Sequence, residues 1–190
     1  MKVIEELQRL FAGRGESAYY GEPVSMTEHC LQAAHHAVLA HAPEALIVAA
    51  LLHDVGHLVE EVPDDIIDWT EDAHHEEVGA RWLALRFPAA IAEPVRLHVP
   101  AKRYLCATSS DYMARLSAAS VITLNLQGGP MTADEVAAFK SQPYHREAVR
   151  LRLWDDQGKV AGLRTAAFDS YHEMISRHTL DRRSGLNKIQ

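Results

Sequence analysis

The stretch Leu51-Leu52-His53-Asp54-Val55-Gly56-His57 decides how this chain is read. It closes an apolar run, Leu46 to Leu52, that reads as the back of a buried helix. An imidazole and a carboxylate side by side at the end of such a run do not belong in a hydrocarbon core. Unpaired burial costs each on the order of several kcal/mol, so they need a metal, a partner group or water. A hydrogen-bonded His–Asp pair meets that need as well as a metal does. The flanking sequence has to decide.

Working outward, helical periodicity dominates. Val3, Leu7, Leu10 and Phe11 mark a first amphipathic helix stopping near Gly13, with a loop over 16–23. A helix is expected from Thr27 towards His41, with Leu31, Ala34 and Val38 on one face. Pro43 separates it from a helix over 44–58 that carries the His-Asp pair. The acidic stretch 60–72, which contains Pro63, reads as an exposed loop or lid. Further helices are expected over 74–87, with Val78, Leu83 and Leu85 towards the core, and from Pro88 through Ile91, Val95 and His98 to Pro100. Others are expected over 113–124, after Thr132 with Glu135 as its capping-box partner, over 144–154 and over 168–178. No strand pattern or internal repeat is visible. The expectation is one all-α domain over 1–190, with an N-terminal helix and loop over 1–18 and a frayed polar tail over 181–190.

Composition removes several function classes. A net charge of -7 argues against a nucleic-acid partner. No apolar stretch reaches the ~18 residues a membrane span requires. Two cysteines, Cys30 and Cys106, make no disulfide framework, and Glu5 and Glu6 stand where a signal peptide would be apolar. A cytoplasmic monomer is expected. Twelve histidines are an excess that invites a metal.

Candidate ligands recur along the chain: His29, His53 with Asp54, His74 or His75, His98, and Asp155 much later. Imidazole with carboxylate and no thiolate suits iron, zinc or manganese. Six ligands are too many for one tetrahedral zinc, but they fit two metals that share Asp54 as a bridge. Neighbouring helix positions diverge by about 100°, so His53 and Asp54 can face different sides of one cluster. His57, one turn after His53, is placed to support a ligand or to touch substrate.

The spaced set His29 … His53-Asp54 … Asp155 resembles the HD-domain superfamily of metal-dependent enzymes. His75, followed by Glu76-Glu77-Val78-Gly79-Ala80, and His98 match the added histidines of its dinuclear members. Three stretches resemble a narrower group: 98–105 (His98-Val99-Pro100-Ala101-Lys102-Arg103-Tyr104-Leu105), Gln127-Gly128-Gly129-Pro130-Met131 and Arg152-Leu153-Trp154-Asp155. That group is the mixed-valent diiron oxygenases of the PhnZ type, which cleave the carbon–phosphorus bond of 1-hydroxyphosphonates. The resemblance spans roughly residues 19–178.

It implies a helical bundle around two iron ions, Fe(II)/Fe(III), bridged by Asp54 and held by His29, His53, His75, His98 and Asp155, with O2 as co-substrate. The substrate would be a 1-hydroxy-2-(amino or trimethylammonio)ethylphosphonate, giving phosphate and glycine or glycine betaine. Lys102, one turn beyond His98, would sit beside the metals with His53 and Asp54. Arg152 offers a planar fork suited to phosphonate oxygens, and Ser120 and Gln127 can hydrogen-bond the same group. Taken alone, single basic residues are most often surface charges. Tyr19 and Glu22 would cover the iron and read the nitrogen end. Paired Tyr19 and Tyr20 beside Glu22 leave a primary amine and a quaternary ammonium both open. The alternatives are a dinuclear phosphohydrolase using the same ligands and a non-catalytic binding module.

Overall fold

The apolar run is the centre of the molecule. The computed structural model describes residues 2–17, 19, 21–59 and 74–180. In chain order the helices are α1 (Lys2–Ala12), α2 (Met26–Leu39), α3 (Glu44–Leu51), α4 (Val55–Val59), α5 (His75–Ala84) and α6 (Ala89–Arg96). They continue with α7 (His98–Thr108), α8 (Ser110–Met113), α9 (Ala118–Leu126), α10 (Ala133–Ser141), α11 (His145–Gln157) and α12 (His172–His178). Short 3-10 turns cover Arg14–Glu16 and Phe168–Tyr171, and no β-strand occurs among the described residues. The all-α class read from the sequence holds.

Helix α3 is buried on all sides from Leu46 to Leu51, as a helix without a polar face must be. It packs on α2 and α6, while α11 closes over α2 and α7. Leu7, Leu51, Leu83, Ile91, Leu151 and Ile175 are fully buried in this one core. Each such side chain contributes about 1.5–3 kcal/mol on burial.

The expected helix over 44–58 is broken. Leu52 leaves helical geometry at φ -109°, ψ 11°, and His53 and Asp54 form a turn before α4. The cause is local. His53 Nδ1–H donates to the Ala50 carbonyl at 2.8 Å, the oxygen that the Asp54 N–H would take in a continuous helix. The same event separates α6 from α7. His98 Nδ1–H donates to Val95 O at 2.7 Å, and Leu97 sits at φ -95°, ψ -1°. Pro100 is tolerated because it falls in the first turn of α7, where N–H groups have no helical partner.

Other departures follow from capping. Helix α2 starts earlier than expected, at a Ser25–Glu28 capping box, and Thr27 instead donates to Phe11 O at 2.9 Å. The Thr132–Glu135 box is present as read. The expected helix over 113–124 is split, since Ser109 and Ser117 each cap a separate start. The last helix begins only at His172, after the 3-10 turn. Leu85, expected in the core, is 61% exposed because α5 has ended and Phe87 fills the core instead. Val38 is exposed near the end of α2. The acidic segment 60–72, Tyr20 and the tail over 181–190 lie outside the described residues.

Helices α4 and α5 meet backbone to backbone. A Cβ on Gly56 would lie 2.0 Å from His75 O and 3.0 Å from Gly79 N. Gly56→Ala must therefore push α5, and His75 with it, away from the core. We expect a loss of ~3 kcal/mol or more in chemical unfolding together with reduced metal content, because backbone cannot yield as a side chain does. A variant with wild-type stability and metal content would refute this close-packing role.

Candidate metal centre

The residues singled out in the sequence converge. His29 comes from α2, His53 and Asp54 from the turn after α3, His75 and His98 from the first residues of α5 and α7, and Asp155 from the last turn of α11. All except His75, which is slightly open, are buried. His29 Nε2 lies 3.0 Å from His53 Nε2, and His75 Nε2 lies 3.2 Å from His98 Nε2. Asp54 stands between these pairs. Its Oδ2 is 3.5 Å from His29 Nε2 and 3.4 Å from His53 Nε2. Its Oδ1 is 3.4 Å from His75 Nε2 and 3.7 Å from His98 Nε2.

The proton positions show what this arrangement needs. Nδ1–H of His29 donates to Gly158 O at 2.9 Å, and His53 and His98 donate to Ala50 O and Val95 O. With the proton on Nδ1, each Nε2 carries a lone pair aimed into the site. Burial pushes the pKa of His98 down to about 3 and lowers that of His53, so both stay neutral. Two lone pairs facing each other at 3.0 Å repel unless a cation lies between them. Asp54 Oδ2 and Asp155 Oδ1 are also buried without a hydrogen-bond partner. The donor set fits two metal ions: one within His29, His53, Asp54 and Asp155, the other within Asp54, His75 and His98.

The supporting groups are equally specific. Asp155 presents Oδ1 to His29 at 3.4 Å, while its Oδ2 is held by Arg152 Nη1 at 2.8 Å. Arg152 also binds Asp156 through Nε and Nη2, and its Nε reaches Tyr112 Oη at 3.2 Å. Its fork, read from the sequence as open to phosphonate, is filled by carboxylates of the chain itself. His57 stacks on the His75 ring at 4.0 Å, behind that ligand. The Tyr19 ring stacks on His29 at 3.9 Å, and burial, then the nearby Asp54 carboxylate, raise the pKa of its phenol.

On one flank Lys102 is 2% exposed and donates to Thr123 Oγ1 at 2.8 Å. Burial, then the nearby Arg152, lower its pKa to about 7. Gln127, the residue that ends α9 one turn beyond Thr123, has its Oε1 buried without a partner. Glu22 accepts from Ser117 Oγ at 2.6 Å, and Ser120 lies 3.1 Å from Ser117. Thr123, Ser117, Tyr112, Asp156 and Lys159 were not read from the sequence as site residues. Only Asp156, at i+4 from Arg152, had a spacing signal. Among the described residues, His35, His36, His41, His74, His145, His172 and His178 belong to neither group of candidate ligands, which leaves His75 rather than His74 in the cluster.

A helical bundle that gathers histidines and aspartates into a buried cluster able to hold metal is the architecture of a metal-dependent enzyme. The HD-domain family matches residues 26–156. A [1-hydroxy-2-(trimethylamino)ethyl]phosphonate dioxygenase (glycine-betaine-forming) of Leisingera caerulea is 46% identical over 175 residues, covering 92% of this chain and 89% of that protein. A hydroxymethylphosphonate dioxygenase of Gimesia maris is 47% identical over 173 residues, covering 90% and 86%. An uncharacterized protein of Acanthamoeba polyphaga mimivirus is 33% identical over 175 residues, covering 90% and 80%. The chain belongs to the HD-domain family, in the branch represented by these phosphonate dioxygenases.

The bridging position of Asp54 has a measurable consequence. Asp54→Ala should lose both metal ions, whereas His98→Ala should lose mainly the ion it shares with His75. Metal analysis of the two purified variants separates these outcomes. An Asp54→Ala protein that kept two ions would end the bridge assignment.

Proposed function

We propose that this protein is an O2-dependent enzyme that cleaves the C–P bond of a 1-hydroxyphosphonate, with an Fe(II)/Fe(III) pair as its resident cofactor. The observation that carries the reading is Asp54, whose two oxygens each face their own pair of imidazoles beside the buried ammonium of Lys102. The names of the two phosphonate dioxygenases support the reaction class.

The reaction balances as a dioxygenation. R–CH(OH)–PO3(2−) and O2 give R–COO(−), HPO4(2−) and one proton. The C–H, C–P and O–O bonds break, and O2 takes the four electrons lost by the carbon. When bound, the iron pair supplies this redox chemistry and Lewis acidity towards the substrate hydroxyl.

The chain's own residues supply geometry and charge. In this reading His29, His53, Asp54 and Asp155 would hold one ion, and Asp54, His75 and His98 would hold the other. Lys102 pairs with the phosphonate, and Ser120 and Gln127 add hydrogen bonds to its oxygens. Arg152 acts one step back, fixing the Asp155 carboxylate so that a single oxygen is left for the metal. Tyr19 covers His29, and Glu22 receives a cationic nitrogen where the substrate carries one. With nitrogen at C2 the carboxylic product is glycine or glycine betaine.

Phosphate release from a panel of 1-hydroxyphosphonates, measured with and without O2, tests the reaction. We expect stoichiometric O2 uptake and no phosphate under anaerobic conditions; release without O2 would indicate hydrolysis instead. Electron paramagnetic resonance of anaerobically purified protein should show a half-oxidised iron pair. Lys102→Ala should keep its metal and raise KM ten- to a hundredfold, the loss of a charge-assisted contact of about 1.5–3 kcal/mol. Arg152→Ala should behave differently, losing metal as well as activity, because Asp155 loses its anchor. Unchanged kinetics in Lys102→Ala would place the phosphonate elsewhere.

A further inference from the structure

The turn after α11 sends Lys159 back into the site. Its side chain is 12% exposed, and Nζ lies 3.2 Å from Glu22 Oε1 and 2.9 Å from Ser120 Oγ. The Tyr19 ring is on a third side, 5.9 Å from the ammonium.

This is not a lysine that settles wherever solvent lets it. The backbone on both sides is fixed to α2. Gly158 O accepts from His29 Nδ1, and a Cβ on Gly158 would lie 3.0 Å from His29 O, so the turn packs directly on the helix. On the other side the buried Gln32 amide holds Val160 twice, donating to its carbonyl at 2.9 Å and accepting from its N–H at 3.0 Å.

We propose that Lys159 is a specificity-determining residue: an internal ammonium already paired with the carboxylate that a cationic substrate nitrogen would need. This rests on the proposed phosphonate reaction and on Glu22 as the reader of that nitrogen. Glu22 Oε1 carries both the Lys159 ammonium and the Ser117 hydroxyl. A substrate without nitrogen, such as hydroxymethylphosphonate, leaves this ion pair intact. A trimethylammonium group must share Glu22 with Lys159 and bear like-charge repulsion in a poorly hydrated site. Lys159 therefore works through Glu22 to lower the preference for cationic substrates. The phosphonate end, common to both substrates, cancels in the ratio of their affinities.

The test is anaerobic calorimetric titration of the iron-loaded protein, where binding is read without turnover. The ligands are [1-hydroxy-2-(trimethylammonio)ethyl]phosphonate and hydroxymethylphosphonate. In Lys159→Gln, and in Lys159→Met as a second uncharged variant, the Kd ratio should shift towards the cationic ligand by about tenfold, equivalent to about 1.4 kcal/mol. Lys159→Arg keeps the charge and should keep the wild-type ratio, which loss of packing alone would not do. Adding Lys159→Gln to a Glu22→Gln background should give no further shift. An unchanged ratio in both uncharged variants, or the same shift without Glu22, would overturn the proposal. Aerobic phosphate release by the wild-type enzyme is scored separately, so failure of the reaction assignment is distinguishable from failure of the role of Lys159.

Discussion

Where three imidazole protons sit governs the rest of this site. His29, His53 and His98 each give the Nδ1 proton to a backbone carbonyl, leaving Nε2 as a lone pair inside the cluster. Two of those bonds have a second effect, because the carbonyls they take are the ones the next turn of helix would need. The chain therefore breaks after α3 and after α6, at the places where ligands must turn inward. Ligand orientation and backbone path are set by the same hydrogen bonds. His145 makes the same bond to Gln142 O outside the cluster, so the device is a way to start a helix that the site has adopted rather than a mark of a ligand.

An arrangement of this kind is costly without its ions. Asp54 Oδ2 and Asp155 Oδ1 are buried without hydrogen bonds, and a buried polar atom left so costs about 1–3 kcal/mol. Metal binding relieves this, so folding stability and metal affinity are linked. The cluster is held open by what surrounds it. The apolar α3 anchors the His53–Asp54 turn in the core, and the Gly56–Gly79 crossing sets how near α5 brings His75. Arg152, with Asp156 and Tyr112 behind it, keeps Asp155 turned towards His29. Each ligand is fixed by a different part of the core, so deleting one support should displace one ligand rather than collapse the site.

Much of this was legible in the sequence. Hydrophobic periodicity marked nearly every helix, the Leu46–Leu52 run marked the central one, and the spaced histidines and aspartates marked the residues that the fold gathers into one cluster. What was not legible depended on contacts between distant residues. The break at Leu52 needs a side chain to compete with the helix for Ala50 O, which periodicity cannot register. Leu85 fits the helical pattern but lies beyond the end of α5. Arg152 reads as a fork for phosphonate oxygens because helical spacing puts Asp155 and Asp156 within reach but does not show that both turn onto it. Lys159 carries no signal in the sequence because its partners, Glu22 and Ser120, are far away along the chain.

The charges around the cluster bear on the substrate more than the ligands do, since other dinuclear chemistries would use a similar ligand set. Arg152 is balanced by Asp155 and Asp156, and Lys159 by Glu22. Lys102 differs: it is almost completely buried, and its hydrogen bond among the described residues goes to a neutral hydroxyl, Thr123. An ammonium held out of water without a bonded anion is expensive, and burial has pulled its pKa to about 7. An anionic group entering beside Thr123 and Gln127 would supply the missing counter-charge and could accept from the Gln127 amide N–H groups. A phosphonate dianion has the charge and the three acceptor oxygens to do so. A neutral substrate would leave the cost unrelieved, so Lys102 argues for an anion at this flank independently of the metals.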